Sequence, residues 1–385
     1  MFQDPADVTT VLSVITTFAA AFVAAWTAAG ATVWPPVVSP EPNPDGGIAF
    51  RCHAPNAQRV VLNGDWKDGK GKELAKGEGG VWSITLAPIA PGIYTYSFDV
   101  DGMNLPDRAN PRVNPGQSVT ASLLEIARPL PHIEEFDPNI PHGEVRVVSY
   151  ASKQTDSIRR MHVYTPPGYE ADPAKRWPVL YLLHGYTGDD ESWTVYGRAH
   201  WIADNLIAGG GSQPLAIVMP DDHVKPLPPR QGDPDYVNTN SPVCDRHLID
   251  EVLPFVEKRY RVRTDPDGRA VAGLSMGADQ TAYTALAHPE LFAWVGAFAP
   301  GARLRDDPME PLLDGAKQHP IQFRLFVLTC GRQDGFLEND TRLSQRLRAA
   351  GVNHEYQLVD GAHDWDVFRS NLAHFLMRVF QPPKK

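Results

Sequence analysis

The chain has 385 residues, 42% of them hydrophobic and 21% charged, a composition typical of a folded globular protein with one large or two smaller domains. The formal charge of −10, without a long Lys/Arg run, excludes the usual basic surface for nucleic acid. The cysteines, Cys52, Cys244 and Cys330, lack C-x-x-C or zinc-ligand spacing, so no metal site is predicted and their redox state stays open.

Residues 1–31 have most features of a signal peptide. Positions 8–40 carry no charge, and Ala29-Gly30-Ala31 has the small-x-small form of a signal-peptidase site. The segment before the apolar run lacks Lys and Arg, so a helix packed on the domain and a membrane anchor remain alternatives. The expected mature protein is secreted or periplasmic and has no stable membrane span.

Residues 41–126 are predicted to form an immunoglobulin-like β-sandwich, because short apolar or alternating runs recur between Gly, Asp, Asn and Pro clusters. The segment 92–107 resembles the E-set modules of glycogen-branching and related glycan-active enzymes. That resemblance implies a glycan contact, for which Trp66 and Trp82 could form a stacking platform. Core packing and positioning of the next domain is the alternative role, and Tyr94 and Tyr96 are expected in the core.

Residues 127–143 contain four prolines and are predicted to be an extended, semi-rigid linker. The domain from 144 to 382 then alternates strands and helices. Its predicted strands cover residues 145–150, 160–164, 178–183, 215–219, 269–274, 294–298, 323–329 and 355–359. Its predicted helices cover residues 197–208, 245–260, 276–287, 340–350 and 364–380. This order predicts the α/β-hydrolase fold, a mostly parallel eight-stranded sheet flanked by helices.

The pentapeptide Gly273-Leu274-Ser275-Met276-Gly277 follows the fifth of these strands and precedes a helix. Strand, G-x-S-x-G and helix together predict a nucleophile elbow, in which the serine sits in a tight, strained turn. The fold then expects an acid after the seventh strand and a histidine after the eighth, where Asp334 and His363 stand. We therefore predict a catalytic triad of Ser275, His363 and Asp334.

Other residues near these positions could take the same roles. Glu338 could replace Asp334 as the acid, whereas Asp340 stands at a predicted helix start, where acids often act as caps. His354 precedes its strand and His374 lies within a helix, so neither is expected to act in the triad.

An oxyanion hole requires the N–H after the nucleophile, here Met276, and a second from the loop after the third strand. In that loop Gly185 allows a turn and Tyr186 is the best donor. Predicted substrate contacts are His184, Gly185, Asp222 and Trp365. Residues 221–223 and the loop 224–243, with Tyr236 as a lid or aromatic clamp, are expected to form pocket walls, although this loop could equally be structural.

Four segments carry a resemblance that spans the second domain: residues 166–169, 178–185, 269–277 and 361–365. They resemble the first carbohydrate esterase family, which includes feruloyl and acetyl xylan esterases and is similar to enterochelin esterases, S-formylglutathione hydrolases and mycolyltransferases. The resemblance implies a serine esterase with Ser275, Asp334 and His363 as triad, Met276 and Tyr186 as oxyanion donors, and no cofactor or metal. Ala278 departs from the glycine common in relatives and is expected to narrow the acyl pocket slightly.

The predicted function is hydrolysis of ester-bearing small molecules or polysaccharide-linked esters, most simply feruloyl esters of plant cell walls. Acetyl xylan and siderophore esters are alternative substrates. An acyltransferase with the same triad is a second hypothesis, and an inactive glycan-binding protein is a third, disfavoured because every triad residue is present.

Overall fold

The computed structural model describes residues 36–116, 119–226, 234–301 and 308–381. The chain divides into two compact units. The first contains the described residues up to Ala90 with Tyr94–Arg112 and Ala121–Leu124, and the second contains the remainder, including everything from Glu125 onward. The predicted signal peptide, residues 1–31, lies outside the described residues and stays a prediction.

The first unit consists of two antiparallel sheets. Its strands are β1 Glu41–Pro42, β2 Ile48–His53, β3 Val60–Gly64, β4 Lys72–Glu73, β5 Ala75–Lys76, β6 Val81–Leu86, β7 Gly92–Val100, β8 Met103–Leu105 and β9 Ser122–Ile126. One sheet has the order β1-β2-β6-β5; the other has the order β4-β3-β7-β8, and β9 pairs with β7. The buried rings of Phe50, Tyr96 and Phe98 pack between them. The predicted immunoglobulin-like sandwich is confirmed.

The two tryptophans proposed as a sugar platform are not available for one. Trp66 is 7% exposed and stacks on Phe50, while Trp82 is 6% exposed and its indole N–H donates to the Ala54 carbonyl. Stacking on a sugar requires an open ring face, so the structure contradicts a platform formed by Trp66 and Trp82. Tyr96 is in the core, as predicted, and Tyr94 is half-buried against Trp66.

The second unit is built on one eight-stranded sheet. Its strands are β10 Glu144–Ser152, β11 Ser157–Thr165, β12 Val179–Leu183, β13 Ala216–Pro220, β14 Arg269–Leu274, β15 Trp294–Phe298, β16 Leu325–Gly331 and β17 Glu355–Val359. The order is β10-β11-β13-β12-β14-β15-β16-β17, antiparallel for the first two pairings and parallel from β13 onward. The predicted α/β-hydrolase fold is confirmed. Because both faces are covered by helices, β12 to β16 are buried along their length.

The helices of the second unit include several that were predicted. Their bounds are α1 Ser192–Val195, α2 Ala199–Ala208, α3 Pro234–His247, α4 Leu253–Arg259, α5 Met276–Ala287, α6 Glu310–Gln318, α7 Leu337–Ala349 and α8 Trp365–Leu376. A π-helical turn, Leu248–Val252, joins α3 to α4. The structure corrects the predicted loop 224–243, because α3 begins inside it. It also adds α1 and α6, which were not predicted. Among the described residues no helix is both long and apolar enough to cross a membrane.

The segment 127–143 is packed rather than a free tether. Glu134 and Glu135 are buried and pair with Arg369 at 2.8 Å and Arg198 at 2.7 Å. The amide of Asn205 in α2 donates to the carbonyls of Ile133 and Glu135. These contacts hold the segment on α2 and α8, so the prediction of an extended linker misses its ion pairs.

Candidate active site

Ser275 occupies the turn between β14 and α5. Its backbone has φ +52° and ψ −121°, a conformation that residues with a side chain rarely adopt. The turn is held from both sides: the Ser275 N–H donates to the Phe298 carbonyl at 2.9 Å, and the Ser275 carbonyl accepts the Ala278 N–H at 2.9 Å. The side chain is therefore presented at the carboxyl end of the parallel strands, where the elbow was predicted.

Three glycines permit this turn by allowing backbones to approach closely. A Cβ on Gly273 would lie 2.5 Å from the Gly277 carbonyl oxygen, and one on Gly277 would lie 2.3 Å from the His184 carbonyl oxygen. A Cβ on Gly185 would lie 2.6 Å from Leu274 Cδ1 and 3.3 Å from Ser275 Cβ. The glycines are thus required by close packing around Ser275, not by their own φ angles.

The structure brings Ser275, His363 and Asp334 together. The Ser275 hydroxyl lies 2.9 Å from His363 Nε2, and His363 Nδ1 lies 2.8 Å from Asp334 Oδ2. Asp334 accepts a second bond, at Oδ1, from the Phe336 N–H. Burial raises the pKa of Asp334, but these bonds from His363 and Phe336 outweigh it and hold the pKa below its ordinary value. An ionised Asp334 keeps the proton of neutral His363 on Nδ1, so Nε2 is free to accept from Ser275.

The loops that carry the acid and the histidine are joined by backbone contacts. The Gln333 N–H donates to the Gly361 carbonyl at 3.0 Å, and the Gln333 side chain accepts the Gly361 N–H at 2.7 Å. A Cβ on Gly331 would meet the same carbonyl oxygen at 2.4 Å. The ring of Phe336 packs edge-on against His363 at 5.0 Å. Phe336 and Gln333 were not predicted, since only the fold places them against the histidine loop.

The alternative triad residues lie elsewhere. Glu338 is exposed on α7 and pairs with Arg342. Asp340 is buried inside α7 and accepts the Gly301 N–H at 2.8 Å. His354 contacts Ser344, and His374 contacts the carbonyl of Ser370 on its own helix. None of these hydrogen bonds reaches Ser275 or His363.

The predicted oxyanion donors belong to two segments that contact the Ser275 turn. Met276 is the first residue of α5, so its N–H has no carbonyl partner within the helix. The backbone at Gly185, which precedes Tyr186, lies against Leu274 and Ser275, as the contacts of a Cβ built on Gly185 show. The Tyr186 side chain packs with Tyr236 and Met276. Both amides are thus carried on segments that touch the Ser275 turn.

Two predicted substrate contacts are instead interior groups. His184 and Asp222 are each 1% exposed, so their side chains cannot meet a bound ester directly, and the structure contradicts that prediction. Tyr236, expected as a clamp, is also buried; its hydroxyl lies 2.9 Å from His223 Nδ1. Ala278 is fully buried in the core with Ala282, so it does not narrow an acyl pocket.

Of the predicted substrate contacts, Trp365 is the one whose side chain remains partly exposed to solvent. It is half-buried two residues after His363 and stacks on Tyr196, with ring centroids 5.3 Å apart and planes 16° apart. Trp193 and Phe368 meet its ring edge-on at 5.3 Å and 5.9 Å. These three buried rings fix the position of Trp365 in the chain that follows His363.

The chain matches known families in both units. Residues 152–323 match the family described as "Putative esterase", and residues 38–115 match carbohydrate-binding module 48, the isoamylase N-terminal domain. The predicted combination of an esterase-family domain with an N-terminal glycan-enzyme module is confirmed.

Curated relatives extend this similarity. The chain is 28% identical over 347 residues to an endo-1,4-beta-xylanase/feruloyl esterase of Xylanibacter ruminicola, covering 89% of this chain and 46% of that protein. It is 31% identical over 269 residues to an esterase of Mycobacterium tuberculosis, covering 57% and 56%. The chain therefore spans about half the length of these curated relatives.

Two solved structures share the fold. A CE1 ferulic acid esterase from Anaeromyces mucronatus aligns with a TM-score of 0.58 and 24% identity, covering 64% of this chain and 94% of that one. The enterobactin esterase of Shigella flexneri aligns with a TM-score of 0.60 and 19% identity, covering 87% and 93%. At these identities the likeness shows the fold alone.

Proposed function

We propose that this chain, an esterase-family domain preceded by a carbohydrate-binding module 48, hydrolyses carboxylic esters through an acyl-enzyme on Ser275. The observation that carries the proposal is the unbroken chain of contacts from Ser275 Oγ through His363 to Asp334, at 2.9 and 2.8 Å. A nucleophile, a base within hydrogen-bond reach and a group that orients the base are what nucleophilic catalysis requires.

In the proposed reaction His363 Nε2 takes the proton of Ser275 as the hydroxyl oxygen attacks the ester carbonyl. Asp334 stabilises the imidazolium that forms. The N–H groups of Met276 and Tyr186 stabilise the oxyanion, each contributing roughly 3 kcal/mol by comparison with measured oxyanion donors. His363 then protonates the leaving alcohol. Water, activated by the same histidine, attacks the acyl carbon, and the acid leaves as Ser275 regains its proton.

We propose feruloyl esters of plant cell-wall polysaccharide as the substrate class. The name of the Xylanibacter ruminicola relative pairs feruloyl esterase with xylanase, and that relative covers 89% of this chain. Trp365, two residues after His363 and held by its stack on Tyr196, is half-buried and is the side chain that we propose contacts a planar phenolic acyl group. Polysaccharide does not cross membranes, so this substrate also implies action outside the cytoplasm.

The N-terminal module is proposed to contact glycan, on the basis of its match to carbohydrate-binding module 48. That contact would use surfaces other than Trp66 and Trp82, which are buried. Acetylated xylan and siderophore esters remain alternative substrates, and acyl transfer to an alcohol remains an alternative outcome of the same acyl-enzyme.

The test is a panel of methyl ferulate, acetylated xylan and a ferric-siderophore ester, with wild type and Ser275→Ala compared. We expect wild type to cleave methyl ferulate fastest and the variant to lose at least about 10⁴-fold in kcat. Equal rates for both proteins would end the serine-esterase proposal. Faster cleavage of another ester would overturn only the feruloyl assignment, and diversion of product into a new ester by added alcohol would favour the transferase.

A further inference from the structure

A buried polar cluster lies beneath the loop that follows β12. It contains His184 from that loop, with Asp221, Asp222 and His223 from the end of β13. His184 and Asp222 are each 1% exposed, and no step of the proposed reaction uses their side chains. Buried titratable groups are costly unless they are paired, so this cluster requires an explanation.

His184 contacts the peptide unit that would carry the oxyanion donor. Its Nδ1 lies 2.8 Å from the Gly185 carbonyl oxygen, which can only accept, so Nδ1 bears the proton. The Gly188 N–H donates to the same oxygen at 2.9 Å. In a trans peptide the C=O and the next N–H point in opposite directions. Two donors on the Gly185 carbonyl therefore turn the Tyr186 N–H away from the buried ring and toward the Ser275 side.

Asp222 lies on the other side of the imidazole. Its Oδ1 is 3.1 Å from His184 Nε2, and its backbone N–H points at the same nitrogen at 3.1 Å. Apart from that ion-pair contact, neither carboxyl oxygen has a hydrogen-bond partner. Asp221 Oδ1 also lies 3.3 Å from Nε2, so a proton at this point is held between the ring and the two carboxyl groups. Whichever atom holds it, His184 Nδ1–H remains committed to Gly185.

We propose that His184 and Asp222 are positioning residues that orient the Gly185–Tyr186 peptide as the second oxyanion donor. His184 supplies the hydrogen bond, and Asp222 fixes the ring and its protonation. His223 supports the next peptide, because its Nε2 lies 2.7 Å from the Tyr186 carbonyl. The inference rests on the proposed esterase function.

The charges around the pair support a bound proton at neutral pH. Burial opposes a charge on His184, but Asp222 and Asp221 outweigh it and raise its pKa; burial raises the pKa of Asp222. Four further titratable or charged side chains contribute from the elements packed on the cluster: Arg159, His223, Tyr236 and Cys244. Loss of the shared proton at high pH would leave a negative charge beneath the developing oxyanion, so kcat should fall.

A metal ion is the competing explanation, since His184, Asp222 and His223 offer ligand atoms within 4.8 Å of one another. However, both nitrogens of His223 already face oxygen partners, Tyr236 Oη at 2.9 Å and the Tyr186 carbonyl at 2.7 Å. A ligand nitrogen would have to give up one of these contacts. The hydrogen-bonded arrangement therefore favours a proton over a metal ion.

Two substitutions of His184 distinguish the effect of its hydrogen bond to the Gly185 carbonyl from the effect of its imidazole ring. In His184→Asn the side-chain amide N–H can take the place of Nδ1–H, whereas in His184→Gln the amide reaches the Nε2 position instead. Both variants lose the imidazole and its charge. With 4-nitrophenyl acetate as probe, we expect kcat to fall about 10- to 100-fold in His184→Gln and less than about fivefold in His184→Asn, with KM nearly unchanged.

Asp222→Asn tests the shared proton. Wild type should lose kcat on the alkaline side of pH 8, and the variant should not. Equal losses in the two His184 variants, a change confined to KM, or an unaltered alkaline limb in Asp222→Asn would overturn the proposal. So would one tightly bound metal ion per chain by elemental analysis, lost in Asp222→Asn. Inactivity of wild type itself would instead reject the proposed function, so the two failures are distinguishable.

Discussion

Two histidine–aspartate pairs flank Ser275, and they differ in what they face. His363 and Asp334 lie on loops at the ends of β16 and β17, with 28% of the His363 side chain exposed and Nε2 directed at the Ser275 hydroxyl. His184 and Asp222 are buried, and Nδ1 of that ring is directed at a backbone carbonyl. The same chemical pair can move a proton where it meets a reacting group, and can only orient a peptide where it meets the backbone.

The pKa values of the two acids, Asp334 and Asp222, are shifted in opposite directions. Asp334 receives bonds from His363 and the Phe336 N–H, which outweigh its burial and lower its pKa. Its stabilising contribution is therefore present above the ordinary aspartate pKa and is lost as pH falls through the lowered value. Asp222 has one such contact, with His184 Nε2 at 3.1 Å, and burial outweighs it and raises the pKa to about 8. Asp334 therefore stays ionised, whereas Asp222 shares a proton with His184.

The largest effect should come from Asp334→Asn on the exposed pair. The amide no longer holds the proton of His363 on Nδ1, and the corresponding change in a serine protease lowers kcat by about 10⁴-fold. Steady-state hydrolysis of 4-nitrophenyl acetate measures it. The matched control is Glu338→Gln, an exposed acid four residues along the chain, which should leave kcat unchanged. If kcat fell further in Glu338→Gln than in Asp334→Asn, Glu338 would be the triad acid. The comparison between the two histidine–aspartate pairs would then no longer hold.

An intermediate effect is expected from Gly185→Ala on the buried side. The new Cβ would meet Leu274 Cδ1 at 2.6 Å and Ser275 Cβ at 3.3 Å, so either the buried Leu274 side chain or the Gly185 backbone must shift. Loss of one oxyanion donor lowers kcat by about 10²- to 10³-fold. Pre-steady-state acylation by the same ester reports the loss directly.

The control for that substitution is Gly315→Ala in α6, where an added Cβ meets no other atom within 4 Å. It should retain full activity and gain slightly in melting temperature, because alanine favours a helix. An unaltered acylation rate in Gly185→Ala would show that catalysis tolerates a change at the Gly185–Tyr186 peptide. The role proposed for His184 and Asp222 in orienting that peptide would then be contradicted.

The smallest effect should follow Tyr236→Phe, which removes a hydroxyl that lies 2.9 Å from His223 Nδ1 and 2.9 Å from the Lys225 carbonyl oxygen. A net hydrogen bond is worth about 0.5–1.5 kcal/mol, and only the contact with His223 bears on the oxyanion peptide, so kcat should fall by at most about tenfold. Tyr169→Phe is the control, since its hydroxyl accepts the Arg261 N–H at 2.7 Å in a different part of the unit. If the melting temperature fell by the same amount in both variants and kcat fell in neither, Tyr236 would have a structural role only.

The sequence predicted the sheet well because its strands are uninterrupted apolar runs. Strands β14 and β15 have the bounds that were predicted for them. The positions of Ser275, Asp334 and His363 follow from counting the strands along the chain. Helix α3 was missed because Pro234–His247 is rich in Pro, Asn and Asp, which disfavour helix. Burial of Tyr236 and Val237 against Met276 overrides that local preference.

The segment 127–143 shows the same limit. It was predicted to be an extended linker, but it contains turns at 132–135 and 137–140. Its buried glutamates pair with Arg198 and Arg369, which lie 63 and 235 residues away in the sequence. Local composition carries no information about such partners. The ion pairs could be identified only once α2 and α8 were in place.

By itself, the sequence determined which residues follow the strand ends, because apolar periodicity and G-x-S-x-G are local patterns. Those patterns place His184 and Asp222 at strand ends just as they place Asp334 and His363. Which pair faces the open side and which faces the interior was decided only by tertiary packing. The direction of a side chain depends on the neighbours that enclose it, and those neighbours are distant in sequence.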